Sequence, residues 1–405
     1  MEVETPKTVE KWSFTFRFSR YNLFMLKRSL GIPLLNNKSF FLFGPRGVGK
    51  TLWLKSNLKS AIYIDLLHSG VFNNLEAGPE RLENYIPKQF EDWIIIDEVQ
   101  KIPQLLNEVH RLITNFNYKF ILTGSSARSL KKLGSNLLAG RALTYRMYPL
   151  TCEELGDEFS LQKSLEFGHL PAVYSDYKTL EQEYLQSYIK TYIKEEVQQE
   201  GLTRNMLAFS RFLESASFSQ GSVLNFSEIA REAAVDRKLV ESYFNILEDL
   251  LIAYRIPVFT KRAKRKLAAH PKFYFFDAGV FKALRPMGPL DLPEEANGAA
   301  LETLVLQELL AINHYHALNY EIYYWRTATK LEVDLILYGK KKIIAIEVTH
   351  SSRFKKEKLK GLKAFLKDYP QAKAYLFYTG TQKYFEDNID IIPVQDALSN
   401  LKDFL

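Results

Sequence analysis

Gly44-Pro45-Arg46-Gly47-Val48-Gly49-Lys50-Thr51 follows directly on the apolar run Phe40-Phe41-Leu42-Phe43. This is the G-x-x-x-x-G-K-[ST] spacing in the context it needs, a strand before it and a helical stretch after it. Glycines let a backbone curl until its N–H groups converge on an anion. Lys50 is placed to reach β- and γ-phosphates, Thr51 offers a hydroxyl to Mg²⁺, and the next helix presents its positive end. The spacing predicts a site for a nucleoside triphosphate. The plainer alternative is a glycine-rich turn before an ordinary helix.

Trp93-Ile94-Ile95-Ile96-Asp97-Glu98 is a second element of that chemistry. An unbroken apolar run ending in acids fits a strand buried on both faces of a parallel sheet. Asp97 would orient the Mg²⁺ water shell beside Thr51, and Glu98 would polarise an attacking water. A third run, Lys119–Thr123, ends in Gly124-Ser125-Ser126-Ala127-Arg128. Strand ends line the ligand crevice of a doubly wound sheet, so Thr123, Ser125 or Ser126 could sense the γ-phosphate and Arg128 could reach it. Gly-Ser-Ser is equally helix-capping chemistry. Arg141, after Leu138-Ala139-Gly140, is a candidate arginine finger or a surface arginine.

A further constellation lies near the end of the chain. Glu302 sits in the aliphatic helix Ala300–Leu306, Asp334 in the strand Leu331–Leu337, and Glu347 in the strand Ile343–Thr349. Acids inside apolar elements are expensive unless satisfied. They could gather round a hard divalent cation as a second metal site, or be paired with Arg326, Lys330 or His350.

These side chains need elements to hold them. Strands are expected at Ser39–Phe43, Ala61–Asp65, Trp93–Asp97, Lys119–Thr123 and Ala142–Met147, with an amphipathic helix around Leu105–Ile113. One strand separates the phosphate loop from the acidic strand in sequence. That order suggests the nucleotide hydrolases that insert a strand between the two in space. Residues 151–221 read as a helical lid or connector. Residues 222–285 show a short helix, the turn Asp236-Arg237-Lys238, the helix Leu239–Leu251, and strands Ile252–Val258 and Lys272–Phe276. This is a winged-helix outline with Lys261, Arg262, Lys264, Arg265 and Lys266 on its loop. The outline predicts phosphate contacts to nucleic acid, DNA favoured, or else a helical adaptor with a solvated basic hairpin. The helix Arg353–Lys367 is basic on its outer side.

Composition bounds the rest. The 405 residues carry a formal charge of +7, with 46% hydrophobic and 25% charged residues, a globular balance with room for two or three domains. The single cysteine, Cys152, excludes an internal disulfide and suits a reducing, cytoplasmic setting. No apolar run approaches the ~20 residues that span a bilayer, and residues 1–20 lack a secretory core. No membrane association is expected. A homo-oligomer is compatible with the chain.

Together these residues resemble a widespread archaeal and bacterial AAA-type ATPase family. Its members join a P-loop domain to a C-terminal domain like the PD-(D/E)XK nucleases. The resemblance is carried by Gly44–Thr51, Ile94–Gln100, Leu122–Ser126, Leu138–Arg141 with Pro149-Leu150, and Glu332–Leu337 with Ala345–Val348. It implies ATP with Mg²⁺ as cofactors. The implied fold is α/β: an extension (1–20), a P-loop parallel-sheet core (21–150), the connector (151–221), the winged-helix-like unit (222–285) and a restriction-endonuclease-like α/β domain (286–405). Thr349 departs from the nuclease-like pattern, which wants a lysine there.

Overall fold

The computed structural model describes residues 27–405 apart from 32–33, 35–36, 127–137, 139, 176, 178, 200–204, 264, 266, 269 and 290. The extension 1–20, Arg128, Lys264 and Lys266 lie outside the described residues.

Five short strands build the first sheet: β1 (Phe40–Phe43), β2 (Ile62–Asp65), β3 (Trp93–Asp97), β4 (Lys119–Gly124) and β5 (Leu143–Arg146). Helices α1 (Lys50–Asn57), α2 (Ser69–Ala77) and α3 (Leu105–Phe116) lie between them in sequence. The sheet is parallel throughout, in the order β2-β3-β4-β1-β5, and fits a P-loop NTPase domain. β4 therefore separates the phosphate-loop strand from the acidic strand in space, while β2, which separates them in sequence, lies at the edge. Alternation along each strand explains the apolar runs. Phe40, Leu42, Trp93 and Ile95 pack into one core, and Phe41, Phe43, Ile94 and Ile96 into the other. α3 covers the second face with Leu105, Leu106, Val109 and Leu112.

The connector comprises α4 (Leu161–Phe167), α5 (Glu181–Ser187), a π-helical turn at Tyr188–Ile193, and α6 (Lys194–Gln199). Next come α7 (Met206–Ser217), β6 (Ser222–Val223), α8 (Phe226–Ala233), α9 (Arg237–Asp249), β7 (Ala253–Ile256) and β8 (Lys272–Phe275). The three strands pair antiparallel in the order β6-β8-β7. The turn between α8 and α9 is Ala234-Val235-Asp236, two residues earlier than the expected Asp236-Arg237-Lys238. Ala234 ends α8 in the left-handed region, and Asp236 caps α9 by accepting from the Leu239 N–H at 2.9 Å, so Arg237 is already helical.

α10 (Ala278–Leu284) leads to the long α11 (Pro293–Tyr315) and the third sheet. That sheet contains β9 (Glu321–Arg326), β10 (Glu332–Tyr338), β11 (Ile343–Thr349), β12 (Lys373–Tyr378), β13 (Tyr384–Glu386) and β14 (Ile389–Pro393), ordered β13-β14-β12-β11-β10-β9. β9, β10 and β11 form an antiparallel meander, and α12 (Lys360–Asp368) crosses to β12, parallel to β11. Gly361 makes the close approach possible, since a Cβ there would fall 1.7 Å from the Glu332 carbonyl oxygen.

The basic loop between β7 and β8 differs from the expectation of charges free for phosphates. It lies along β9, with bridges Val258↔Tyr324 and Leu267↔Thr327. Lys261 pairs with Glu321 and stands 4.0 Å over the Tyr338 ring, and Arg265 pairs with Asp368 at 2.6 Å. The unpaired edge of β9 recruits the loop, and two of its cations are satisfied inside the protein. No helix among the described residues is long and apolar enough to cross a membrane.

Candidate functional site

The phosphate loop springs from the carboxyl end of β1. Gly47 (φ 84°) and Gly49 (φ 95°) occupy the left-handed region that glycine tolerates. Lys50 opens α1 and is buried, its Nζ 2.6 Å from the Gly44 carbonyl and 3.1 Å from the Pro45 carbonyl. Burial pushes the ammonium below its ordinary value, against the charges of Glu98, Asp97 and Glu196. A buried cation whose hydrogen bonds go to neutral carbonyls of its own loop is a donor set suited to an anion.

Asp97 ends β3 and collects hydroxyls from three elements. Thr51 of α1 donates at 3.0 Å, and Tyr63 of β2 and Thr123 of β4 also donate. The parallel register Asp65↔Asp97 and Ile96↔Leu122 brings those neighbours level with the carboxylate. Thr51 and Asp97 together fit Mg²⁺, as their places in the two motifs lead one to expect. Thr123 is committed to Asp97 and also accepts the Glu98 N–H at 3.3 Å, while the other two candidates, Ser125 and Ser126, follow β4 and are buried.

Glu98 stands at φ 61°, ψ 44°, a left-handed conformation that costs a non-glycine residue about 1–3 kcal/mol. Gln100 Nε2 donates both to the Glu98 carboxylate and to Ser125 Oγ at 3.2 Å. Ser125 in turn donates to Glu196 of α6 at 3.1 Å. Tyr63 and Glu196 carry no motif in the sequence. Tyr63 arrives through strand register, and Glu196 follows Tyr188 and Tyr192 at steps of four, the one local hint that it shares their face.

On the other flank of α1 a pocket of about 530 Å³ is lined by Arg28, Leu34, Gly49, Trp53, Leu150 and Pro171, a size and polarity suited to a nucleoside. Arg28 ties this wall together. It donates to the carbonyls of Val48 (2.6 Å) and Tyr148 (2.7 Å) and to the Tyr315 hydroxyl (3.1 Å), and pairs with Glu154 at 3.1 Å. The phosphate loop, the Thr51–Asp97 pair and this pocket thus adjoin, and the residues present fit a Mg-nucleotide.

Arg141 does not join them within one chain. It is exposed on the turn before β5, whose register Phe40↔Leu143 puts it at the amino end of the sheet. The phosphate loop leaves from the carboxyl end. Arg128 lies outside the described residues.

The C-terminal acids are brought together, but around a cation that no motif marks. Lys272 of β8 is buried, with Nζ 3.0 Å from Glu302, 3.0 Å from Asp334 and 2.5 Å from Glu332. Asp334 also accepts the Val348 N–H at 2.9 Å, and Tyr274 donates to Glu302. A register shift between Val333 and Ile336 bends β10 where Asp334 sits. Burial, reinforced by Asp334, lifts the Glu302 carboxyl to about 7; the same causes raise Glu347 well above its ordinary value, and Glu347 Oε2 has no hydrogen-bond partner. Among the described residues no three His, Cys, Asp or Glu are arranged to hold a metal ion. At the expected second metal site an internal ammonium therefore stands against two of the three acids, Glu302 and Asp334, and is not paired with Glu347. Arg326, one of the expected partners, reaches only the outer acid Glu332, at 3.3 Å.

Residues 36–156 match the model of an AAA domain, residues 158–291 a domain of unknown function (DUF8612), and residues 297–397 a second one (DUF4143). An uncharacterized protein of Mycobacterium tuberculosis is 26% identical over 314 residues, 76% of this chain and 69% of that protein. An uncharacterized protein of Methanocaldococcus jannaschii is 22% identical over 376 residues, 85% of this chain and 82% of that one. A crystal structure of a Vibrio cholerae protein aligns over 90% of this chain and 96% of its own, at 12% identity and a TM-score of 0.22, too low to bear on the fold. The likeness to AAA domains thus belongs to residues 36–156, and the likeness to DUF4143 to residues 297–397.

Proposed function

We propose that this protein binds and hydrolyses ATP and passes its nucleotide state to its C-terminal half. The observation that carries the reading is the buried Lys50 ammonium beside the Thr51–Asp97 pair and Glu98. Bound magnesium would supply charge neutralisation for the phosphate chain. Lys50 shares that task, Thr51 and Asp97 hold the ion's shell, and Glu98 is the carboxylate that orients a water and accepts its proton. Ser125, at the end of the inserted strand, senses the terminal phosphate. Arg28 offers the route onward, since one guanidinium bonds the Val48 carbonyl of the loop and Tyr315 in the last turn of α11. The test compares nucleotide binding and phosphate release by wild type and Lys50→Ala. A loss of about 100-fold or more in the variant is expected; equal binding and rates reject the reading.

A second reading concerns what the C-terminal half does. The element order α7-β6-α8-α9-β7-β8 supports a winged-helix unit, and Arg353, Lys355, Lys358, Lys360 and Lys367 are exposed on and before α12. These cations favour a nucleic-acid partner, with DNA the first to try. Binding to a labelled duplex should weaken steeply with salt. Lys358→Glu with Lys360→Glu should flatten that dependence, by about one unit of log–log slope for each phosphate no longer neutralised. Absence of binding at low salt points instead to a protein partner. DNA cleavage is the less favoured alternative, because Thr349 replaces the expected lysine and Lys272 fills the acidic cluster. Incubation of DNA with Mg²⁺ or Mn²⁺, with Glu347→Ala as control, decides it.

A further inference from the structure

The connector reaches into the nucleotide site from above the phosphate loop. Tyr188 donates its hydroxyl to the Arg46 carbonyl at 2.8 Å, and the Arg46 guanidinium lies 4.5 Å over the Tyr192 ring. One turn further on, the Glu196 carboxylate accepts from Ser125 Oγ at 3.1 Å and stands 3.7 Å from Arg46 Nη1. Arg46 belongs to the phosphate loop, and Ser125 terminates the strand between β1 and β3. The cavity bounded by Arg46, Ser125, Tyr188, Tyr192, Ile193 and Glu196 measures about 10 Å³, room for about one water. The two flanks of the loop thus differ sharply: the nucleoside side is open, and the side facing Ser125 is filled.

We infer that Glu196 holds the place of the terminal phosphate, so that this arrangement accepts a nucleoside diphosphate while a triphosphate must drive Glu196 and α6 outward. The carboxylate takes the Ser125 hydroxyl that a γ-phosphate would take, and it stands beside Arg46 of the phosphate loop. Two anionic groups held against the same Ser125 hydroxyl repel one another in so small a space. Glu196 is on this view a specificity-determining residue, with no part in the chemistry itself. Burial, then the Glu98 charge, raises its carboxyl above the ordinary value, as expected of an acid pressed against another acid. Its support is the turn Tyr188–Ile193, wound as a π-helix, a rare form that concentrates at functional sites.

The displacement has a consequence for Glu98. Glu98, Gln100, Ser125 and Glu196 form one hydrogen-bonded chain, in which Gln100 holds the catalytic carboxylate and Ser125 receives Gln100 while donating to Glu196. Withdrawing Glu196 returns the Ser125 hydroxyl proton to whatever replaces it. Arrival of a terminal phosphate and the setting of Glu98 then become a single event.

This inference rests on the nucleotide reading above, and the experiment separates the two. Mg-ADP and Mg complexes of a non-hydrolysable ATP analogue are titrated into wild type and Glu196→Gln, which keeps the shape and removes the charge. The variant should favour the triphosphate over the diphosphate by about tenfold more than wild type does, the effect of removing one close repulsion. An unchanged or reduced preference overturns the role of Glu196 while leaving the nucleotide site standing. Failure of wild type to take up either nucleotide overturns both. A second measurement needs no variant: the triphosphate analogue, and not ADP, should speed trypsin cleavage at the exposed Lys190 of the connector, and equal cleavage with both refutes the displacement.

Discussion

Glu98→Gln is expected to lower ATP turnover by about 10²- to 10⁴-fold, the range typical for loss of a general base. Nucleotide binding should persist. The amide keeps the size of the side chain and its contact with Gln100 but cannot accept a proton from water. Asp97, with Thr51, Tyr63 and Thr123 on it, is untouched, so magnesium affinity should also survive. The strained backbone at residue 98 is unchanged as well, because φ 61° is imposed by the strand end and by the Thr123 hydroxyl on its N–H. Phosphate release under saturating ATP, with binding measured separately, checks the split. A variant that turns over at the wild-type rate removes Glu98 from the mechanism.

Lys272→Met should destabilise the protein by about 3–5 kcal/mol, the usual result of removing one partner from a buried ionic group. The variant keeps the aliphatic length but strands Glu302, Glu332 and Asp334 without the ammonium they share. The loss should depend on pH in a stated direction. In wild type, Glu302 titrates at about 7, above the ordinary carboxyl value, and Lys272 is among the influences holding it down. A raised carboxyl contributes stability that is full below about 4.5 and is lost as pH rises through the folded value. Without Lys272 the Glu302 and Glu347 carboxyls rise further, so the gap between variant and wild type should widen in alkali and narrow in acid. Thermal unfolding followed by circular dichroism at about pH 5 and about pH 8 measures it. A gap that is small and the same at both pH values would show that Lys272 does not bind the acids together.

The nucleotide half of the molecule was legible from local rules. The phosphate loop, the apolar strand ending in Asp97-Glu98, and the capped helices are short-range patterns, because backbone curvature and strand burial are set by neighbouring residues. Even the inserted strand followed from motif order, and β4 lies between β1 and β3. The basic loop shows where such reading stops. Its composition suggested a phosphate-binding wing, yet Lys261 and Arg265 are paired with Glu321 and Asp368, residues 60 and 103 positions away. Charge clustering in sequence says nothing about which acids will face the cluster.

Residue order alone establishes that a phosphate loop precedes an acidic strand in a parallel α/β sheet, and that three acids sit in apolar elements toward the end. It took the folded chain to show that Tyr63 and Thr123 lock Asp97, and that Arg141 is at the far end of the sheet from the loop. The same holds for Glu196 reaching Ser125 and for Lys272 filling the cluster at Glu302 and Asp334. Each depends on strand register or on packing between units distant along the chain. Local propensity fixes which elements form, while contacts across the fold choose the partner of each buried charge.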